Sequence, residues 1–326
     1  MCRRRVCYGV VVKPLLVAAC SVLACASLFG QEWQPSAGHT QLPIWPGNPP
    51  DGKFGPPPNT EATRAEGAVA GRPWLDVENV SRPTVTIYSP SQRNTEVAVI
   101  VFPGGGYEDL AIDLEGTEFC DWLTSKGITC VLLKYRVPHS GPQYDQKCRC
   151  QVKPKAPMAL QDAQRTMGLI RFHAADYHVD PHKIGVLGTS AGGHLVADIS
   201  THFDKRVYPT VDAADKESCR PDFAAALYPG HLWVRSAAGG RRLNPDIPVT
   251  RRTPPTFLLQ AENDDVDSVN NSLFYYTALM NAGVPAEMHL FAEGKHAFGL
   301  RRTQYPITGW PALFETWLRT IGLISP

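Results

Sequence analysis

The stretch IGVLGTSAGGH at positions 184–194 decides how the rest of the chain is interpreted. Residues 183–187 form an apolar run that predicts a buried strand, and residues 193–200 follow as a predicted helix. Between them, Gly188 and Gly192 stand two residues either side of Ser190. Side chains at those two positions would collide with the neighbouring backbone if Ser190 occupied a strained strand-to-helix turn. The pattern favours a nucleophile elbow, and a glycine-rich turn without chemistry is the alternative.

On both sides of this stretch, apolar runs alternate with helical patterns. Strands are predicted at residues 84–88, 97–102, 128–135, 183–187, 223–228, 255–261 and 287–291. Helices are predicted at residues 115–125, 158–173, 193–200, 269–282 and 310–321. Strands that alternate with helices predict an α/β fold, with a mainly parallel central sheet, helices on both faces and a single domain.

Composition excludes several classes of protein. The chain has 326 residues, of which 43% are hydrophobic, and a formal net charge of +1. A chain of this length and apolar content is not disordered, collagen-like or held together only by disulfides. Without a basic excess, no nucleic-acid partner is expected.

The first 30 residues have the layout of a secretory signal. Arginines at positions 3–5 and Lys13 precede an apolar run at residues 15–29. The sequence leaves open whether this segment is cleaved near residues 24–26, lipidated at Cys25 or kept as a membrane anchor. We therefore expect a secreted or periplasmic protein, with membrane contact only through a lipid anchor at Cys25 if that residue is lipidated. Without residues 1–30 the formal net charge is 28 minus 31, or −3.

The segment 31–83 holds ten of the 29 prolines and shows little apolar periodicity. We expect it to be an extended lead-in on the surface, with regular structure beginning only at Thr84. The predicted organisation is therefore a signal at 1–30, a proline-rich lead-in at 31–83 and a catalytic domain at 84–326.

A glycine run offers groups that could stabilise an oxyanion. Residues 103–107, PGGGY, directly follow the predicted strand 97–102. Glycine lets backbone N–H groups approach a substrate oxygen closely. We predict the amides of Gly105, Gly106 and Ala191 as the donors, with the register uncertain by one residue.

A serine nucleophile also needs a base and an orienting acid. His296 lies in a glycine-flanked loop shortly after the strand 287–291, and Asp264 follows the strand that ends at Ala261. Asp267 is the alternative acid, or it caps the helix that begins near Val269. The order serine, aspartate, histidine is the chain order of α/β-hydrolases.

The region from about 84 to 321 resembles the α/β-hydrolase superfamily, and within it the bacterial acetylxylan esterase-like carbohydrate esterases. The residues that carry the resemblance are 44–47 (IWPG), 103–107, 188–194, Asp264 with 271–272 (NS), 282–287 (AGVPAE) and 296–299 (HAFG). It implies a serine esterase with Ser190, Asp264 and His296 as its triad, acting on short acyl esters such as acetyl groups on plant polysaccharide. At residues 265–267 (DVD), related chains often carry a hydrophobic residue or proline, which leaves the choice of acid less secure.

Three further residues flank the predicted centre. We assign Tyr107, His194 and Phe298 to substrate binding, with packing as the alternative. No metal and no cofactor are expected, because Cys148 and Cys150 lack a second ligand pair and the glycine runs do not match phosphate or dinucleotide loops.

Several functional and structural points stay open in the sequence. One of Cys148 and Cys150 is expected to bridge to Cys120, Cys130 or Cys219, in a pairing that the sequence leaves open. The rival functions are a general short-chain carboxylesterase or lipase, a feruloyl esterase, and a catalytically silent binding protein on the same fold. Acyl specificity and oligomeric state are not determined by the sequence.

Overall fold

The computed structural model describes residues 32–51, 60–137, 140–141, 143–145, 150–152, 158–235 and 239–325. The predicted signal segment and Cys148 lie outside these residues.

The strands are β1 Gln41–Pro43, β2 Ala62–Val69, β3 Arg72–Glu78, β4 Thr84–Tyr88, β5 Ala98–Phe102, β6 Asp109–Ala111, β7 Thr129–Lys134, β8 Gln143–Asp145, β9 Cys150–Val152, β10 Ile184–Thr189, β11 Ala224–Leu227, β12 Trp233–Arg235, β13 Arg241–Leu243, β14 Thr256–Ala261 and β15 Ala286–Phe291. The α-helices are α1 Glu118–Ser125, α2 Met158–Phe172, α3 Ala191–Thr201, α4 Asn270–Asn281 and α5 Trp310–Thr320. All seven strands and all five helices predicted from the sequence are present, with ends shifted by at most three residues.

A large central sheet organises the molecule. Its eight strands lie in the order β1-β4-β7-β5-β10-β11-β14-β15. The six strands from β7 to β15 pair in parallel, whereas β1 and β4 join one edge in antiparallel pairs. The prediction of an α/β fold with a mainly parallel sheet is confirmed.

The centre of this sheet is the core of the fold. Every residue of β5, β10 and β14 is buried. Strands covered on both faces are mostly apolar along their length, which is why continuous runs and not alternating ones marked them in the sequence. A fully buried side chain such as Ile100 contributes roughly 1.5–3 kcal/mol to the free energy of folding.

Regular structure begins before Thr84, so the expectation of a strand-free lead-in is wrong. Strand β1 pairs with β4 at the edge of the main sheet, and β2, β3 and β6 form a separate antiparallel sheet. The lead-in also reaches the core, where the Trp45 Nε1 group donates a hydrogen bond of 2.9 Å to Asp162. Proline is tolerated on an edge strand, as at Pro43 in β1, and most of β2 is exposed. Neither β1 nor β2 therefore has the apolar pattern from which a strand is predicted.

A disulfide joins Cys120 of α1 to Cys130 of β7. The expected bridges from Cys148 or Cys150 to either of these cysteines are therefore wrong. Cys219 is free and buried. Helix α1 packs beside β7, so the two cysteines, ten residues apart, meet across one helix-to-strand connection.

In the part of the chain that the structure describes, none of the helices has the length and apolar character needed to cross a bilayer.

Candidate active site

Ser190 occupies a sharp turn between β10 and α3. Its φ of 52° and ψ of −117° lie in a region that non-glycine residues rarely adopt, and such strain clusters at functional sites. A side chain at Gly192 would collide with the Phe102 carbonyl of the neighbouring strand, and one at Gly188 would collide with the Gly192 carbonyl. The two glycines thus allow the close approach that a nucleophile elbow requires.

His296 and Asp264 form a hydrogen-bond chain with this serine. The His296 Nε2 atom lies 3.0 Å from Ser190 Oγ, and its Nδ1 atom lies 2.8 Å from Asp264 Oδ2. The other Asp264 oxygen accepts hydrogen bonds from the amides of Val266 and Asp267. Asp264 follows β14 and His296 follows β15, and the carboxyl ends of these parallel strands lie at one edge of the sheet. The structure therefore brings together the three residues selected from the sequence.

The other two aspartates of the loop occupy different environments. Asp265 is exposed and pairs with Lys295 at 3.4 Å. Asp267 points into the site, where its Oδ2 atom lies 3.4 Å from Ser190 Oγ and 3.8 Å from His296 Nε2. Because Asp264 and not Asp267 contacts Nδ1, the orienting position belongs to Asp264. Helix α4 has no side-chain hydrogen bond at its N-cap, so the alternative role of Asp267 as a cap is wrong.

The glycine loop lies directly beside Ser190. A Cβ atom at Gly104 would lie 2.9 Å from the Ser190 Cβ atom. Among the described residues, the amides of Gly105 and Gly106 have no hydrogen-bond acceptor, and the Ala191 amide is at the start of α3, where no intrahelical acceptor exists. These N–H groups are available to a ligand, and their role as the oxyanion hole stays a prediction.

The chain is similar to known esterases and glycan-processing proteins. Residues 85–224 match the model of the BD-FAE family. An acetylxylan esterase of Xylanibacter ruminicola is 28% identical over 231 residues, which are 65% of this chain and 42% of that protein. An endo-1,4-beta-xylanase B of Butyrivibrio fibrisolvens is 28% identical over 245 residues, 70% of this chain and 36% of that protein. This chain thus spans less than half the length of both of these relatives.

Solved structures extend the similarity over most of the chain. The acetyl ester-xyloside bifunctional hydrolase from Caldicellulosiruptor lactoaceticus is 32% identical, with a TM-score of 0.67, and the match covers 88% of this chain and 97% of that one. The chain belongs to the acetylxylan esterase-like α/β-hydrolases. The α/β-hydrolase MGS-M1 from a deep-sea metagenome shares this fold at a TM-score of 0.58 and 24% identity, over 79% of this chain and 98% of that one.

One buried carboxylate of this α/β-hydrolase was missed in the sequence. Glu115, only 2% exposed, accepts hydrogen bonds of 2.9 Å from the Gly104 amide, the Thr189 hydroxyl and the Tyr228 hydroxyl. It therefore ties the glycine loop, the end of β10 and the loop after β11 together beneath the serine. Glu115 lies in a π-helical turn at Asp113–Thr117, a feature frequent at functional sites. The sequence pattern predicted an ordinary helix start there, and gave no signal for this role.

Burial and the neighbouring charges shift the pKa of His296 in opposite directions. Burial lowers the pKa of His296, but the hydrogen bond and charge of Asp264, with the charges of Asp267 and Glu115, raise this pKa above its ordinary value overall. Burial raises the pKa of Asp267, which the charges of His296 and His231 oppose. Burial lowers the pKa of His231, and the negative charge of Asp267 opposes this lowering. The α/β-hydrolase thus stabilises the imidazolium at the position where a base would receive a proton.

The three residues assigned to substrate binding are buried. Tyr107, His194 and Phe298 are at most 2% exposed. The Tyr107 hydroxyl lies 2.6 Å from His194 Nδ1, and the Phe298 ring packs against Tyr228 at 4.7 Å between centroids. Their observed contacts are therefore packing and hydrogen bonding within the protein, and substrate contact stays untested.

In the described ranges, no group of three or more His, Cys, Asp and Glu side chains is placed to hold a metal ion.

Proposed function

We propose that this α/β-hydrolase is a serine esterase that removes short acyl groups, above all acetyl, from carbohydrate. The observation that carries the proposal is the hydrogen-bond chain from Ser190 through His296 to Asp264, with distances of 3.0 and 2.8 Å. A nucleophile, a base and an acid that orients the base, joined in this order, are the requirements for acyl transfer by serine.

The proposed reaction has two halves. His296 takes the proton from Ser190 as its hydroxyl oxygen attacks the ester carbonyl, and Asp264 holds the imidazole and stabilises its positive charge. The amides of Gly105, Gly106 and Ala191 stabilise the oxyanion of the tetrahedral intermediate. His296 then gives its proton to the leaving alcohol, and water, activated by the same imidazole, releases the acyl group from the serine.

The acylated-carbohydrate class is supported by the relatives. An acetylxylan esterase and an acetyl ester-xyloside hydrolase are among the proteins that this chain resembles. We extend the acetylated-carbohydrate substrate class of those proteins to this chain.

Hydrolysis of p-nitrophenyl acetate by the wild type and Ser190→Ala tests the reaction. Loss of the nucleophile is expected to reduce kcat by several orders of magnitude. The matched control is Ser125→Ala, which changes an exposed serine at the end of α1 and is expected to leave kcat unchanged. Equal turnover by the wild type and Ser190→Ala would refute the serine mechanism. Turnover at the uncatalysed rate in both would favour a catalytically silent protein.

A second assay separates the substrate classes. Acetate release from acetylated xylan is compared with hydrolysis of feruloyl and long-chain acyl esters at equal enzyme concentration. The proposal expects the highest kcat/KM for the acetylated glycan. A preference for feruloyl or long-chain esters would replace it with the feruloyl esterase or lipase alternative.

We also propose export as a secreted or periplasmic protein. The Cys120–Cys130 disulfide supports it, because disulfides persist in oxidising compartments and are rare in the reducing cytosol. Fractionation of expressing cells, with mass analysis of the mature N-terminus, tests the proposal and separates cleavage from lipidation at Cys25. An unprocessed cytosolic product would contradict it.

A further inference from the structure

Asp267 is a second carboxylate at the reacting centre that the triad does not use. The backbone holds it there firmly: its amide donates to Asp264 Oδ1 at 2.9 Å, and its carbonyl accepts from Gln260 Nε2 at 2.7 Å. The side chain is 17% exposed and points at the serine and the histidine. The loop backbone therefore fixes the position of the Asp267 carboxylate.

Few of the acceptor positions of this carboxylate are occupied by hydrogen-bond donors. An ionised carboxylate can accept about four hydrogen bonds. In the described part of the chain, the Ser190 hydroxyl lies 3.4 Å from Asp267 Oδ2, and His296 Nε2 lies 3.8 Å away and forms an ion pair with it only when the imidazole is protonated. No Lys or Arg among the described residues pairs with Asp267. A mostly buried carboxylate without such partners is costly to the fold. The cost points to a partner that arrives with the substrate.

The carboxylate lies close to the position that the leaving alcohol must occupy. For His296 to return a proton, the alcohol oxygen of the ester must come within about 3 Å of Nε2. Asp267 Oδ2 is 3.8 Å from that same nitrogen. The alcohol portion of a bound ester is therefore brought next to the Asp267 carboxylate.

The neighbouring loop packs closely against the Asp267 carboxylate at a glycine. A Cβ atom at Gly230 would lie 2.9 Å from both Asp267 carboxylate oxygens, so a larger residue would press on the group. The Gly230 amide donates to the Ser190 carbonyl at 3.1 Å, which holds this loop against the elbow. His231 follows directly and is partly buried. The surroundings of the leaving alcohol are thus small and polar.

We propose that Asp267 determines specificity by accepting a hydrogen bond from a hydroxyl group adjacent to the ester on the alcohol part of the substrate. The enzyme then prefers acetyl esters of vicinal diols, as in sugars, to esters of simple alkanols. An ester of an alcohol without that hydroxyl would leave the carboxylate desolvated and unpaired, which is the situation that polar sites discriminate against. This inference rests on the proposed esterase function and narrows its substrate class.

A pair of small esters that differ by one hydroxyl tests the inference. The substrates are 2-hydroxyethyl acetate and ethyl acetate, and the readout is the ratio of their kcat/KM values from acetate release at pH 8. Because both substrates are measured on one preparation, any inactive fraction cancels from the ratio. The enzymes are the wild type, Asp267→Val, Asp267→Asn and the control Asp265→Asn, which changes an exposed carboxylate of the same loop.

We expect the wild type to favour 2-hydroxyethyl acetate by about tenfold or more. The ratio should fall to about one in Asp267→Val, which has no acceptor. It should be intermediate in Asp267→Asn, because the amide oxygen still accepts a hydrogen bond, and equal to the wild type in Asp265→Asn. A residue that only supports the loop would lower both rates together and leave the ratio unchanged.

Three results would overturn the inference. The first is a wild-type ratio of the two kcat/KM values near one, which needs no folded variant. The second is a ratio that is the same in Asp267→Val as in the wild type. Preference for acetylcholine over 2-hydroxyethyl acetate, lost in Asp267→Asn, would assign the carboxylate to a cation instead. If no ester is hydrolysed, or Ser190→Ala remains active, the proposed function itself fails. Ester hydrolysis that depends on Ser190 with an unaltered ratio refutes only the role of Asp267.

Discussion

Replacing Glu115 with alanine is expected to weaken both the fold and the reaction. The change removes the acceptor for three buried donors: the Gly104 amide and the hydroxyls of Thr189 and Tyr228, each at 2.9 Å. A buried donor left without a partner costs about 1–3 kcal/mol. Three of them set an expected loss of about 3 kcal/mol or more in the free energy of unfolding.

The effect on catalysis follows from what Glu115 ties together. Gly104 leads the loop that carries the predicted oxyanion donors, and Thr189 precedes the serine. Loss of their common anchor lets both shift, and a displacement of about 1 Å can cost up to about 100-fold in rate. We expect kcat for p-nitrophenyl acetate to fall by about tenfold or more in Glu115→Ala.

Glu115→Gln separates hydrogen bonding from charge. Its amide oxygen can accept from Gly104 and Thr189 while its NH₂ group donates to Tyr228, so a loss of only about 1 kcal/mol is expected. Urea unfolding and kcat are measured for both variants, with the exposed Glu293→Ala as control, for which a change within about 0.5 kcal/mol is expected. The reasoning is refuted if Glu115→Ala matches Glu293→Ala in both stability and kcat.

Two further predictions concern the charge around the histidine and the disulfide. The Asp267 charge helps to raise the pKa of His296. Asp267→Asn should therefore lower this pKa and move the acidic limb of the pH profile of kcat/KM for p-nitrophenyl acetate to lower pH. Asp265→Asn removes an exposed charge that solvent and salt screen, and should move the limb little. A shift to higher pH, or equal shifts in both variants, would contradict this. Replacing Cys120 and Cys130 with alanine opens a bridge between residues ten positions apart and should cost about 2–3 kcal/mol in urea unfolding. Stability equal to that of the oxidised wild type would show that the bridge contributes nothing.

The fold was largely predictable because its central strands are buried on both faces. Residues 97–102 are apolar at every position and residues 255–261 at most positions, and burial of β5 and β14 explains that pattern directly. Strands β1 and β2 escaped prediction because an edge strand with proline and a strand exposed to solvent carry no such pattern. The boundaries of the predicted helices and strands differ from the observed ones by a few residues. At α1, for example, a π-helical turn replaces the expected first turn of the helix.

Candidate residues for the site could be selected from local context, but their contacts could not. Three aspartates within four positions follow β14, and all three have the same chemistry in the sequence. Only the turn of the loop places Asp264 at His296 Nδ1, Asp265 in solvent and Asp267 beside Ser190. Disulfide pairing was open for the same reason, because it depends on how α1 lies beside β7.

The sequence by itself determined the fold class, the elbow at Ser190 and the chain order of serine, aspartate and histidine. These features are local, since strand, turn and helix signals lie within a few residues of each other. The tertiary structure decided which carboxylates lie at the proposed reacting centre, including Glu115 beneath the glycine loop and Asp267 next to the serine. Glu115 and Ser190 are separated by more than 70 positions. They are brought close by the pairing of β5 with β10 and by the hydrogen bonds that Glu115 accepts from Gly104 and Thr189. Their proximity is a property of packing, which no short stretch of sequence encodes.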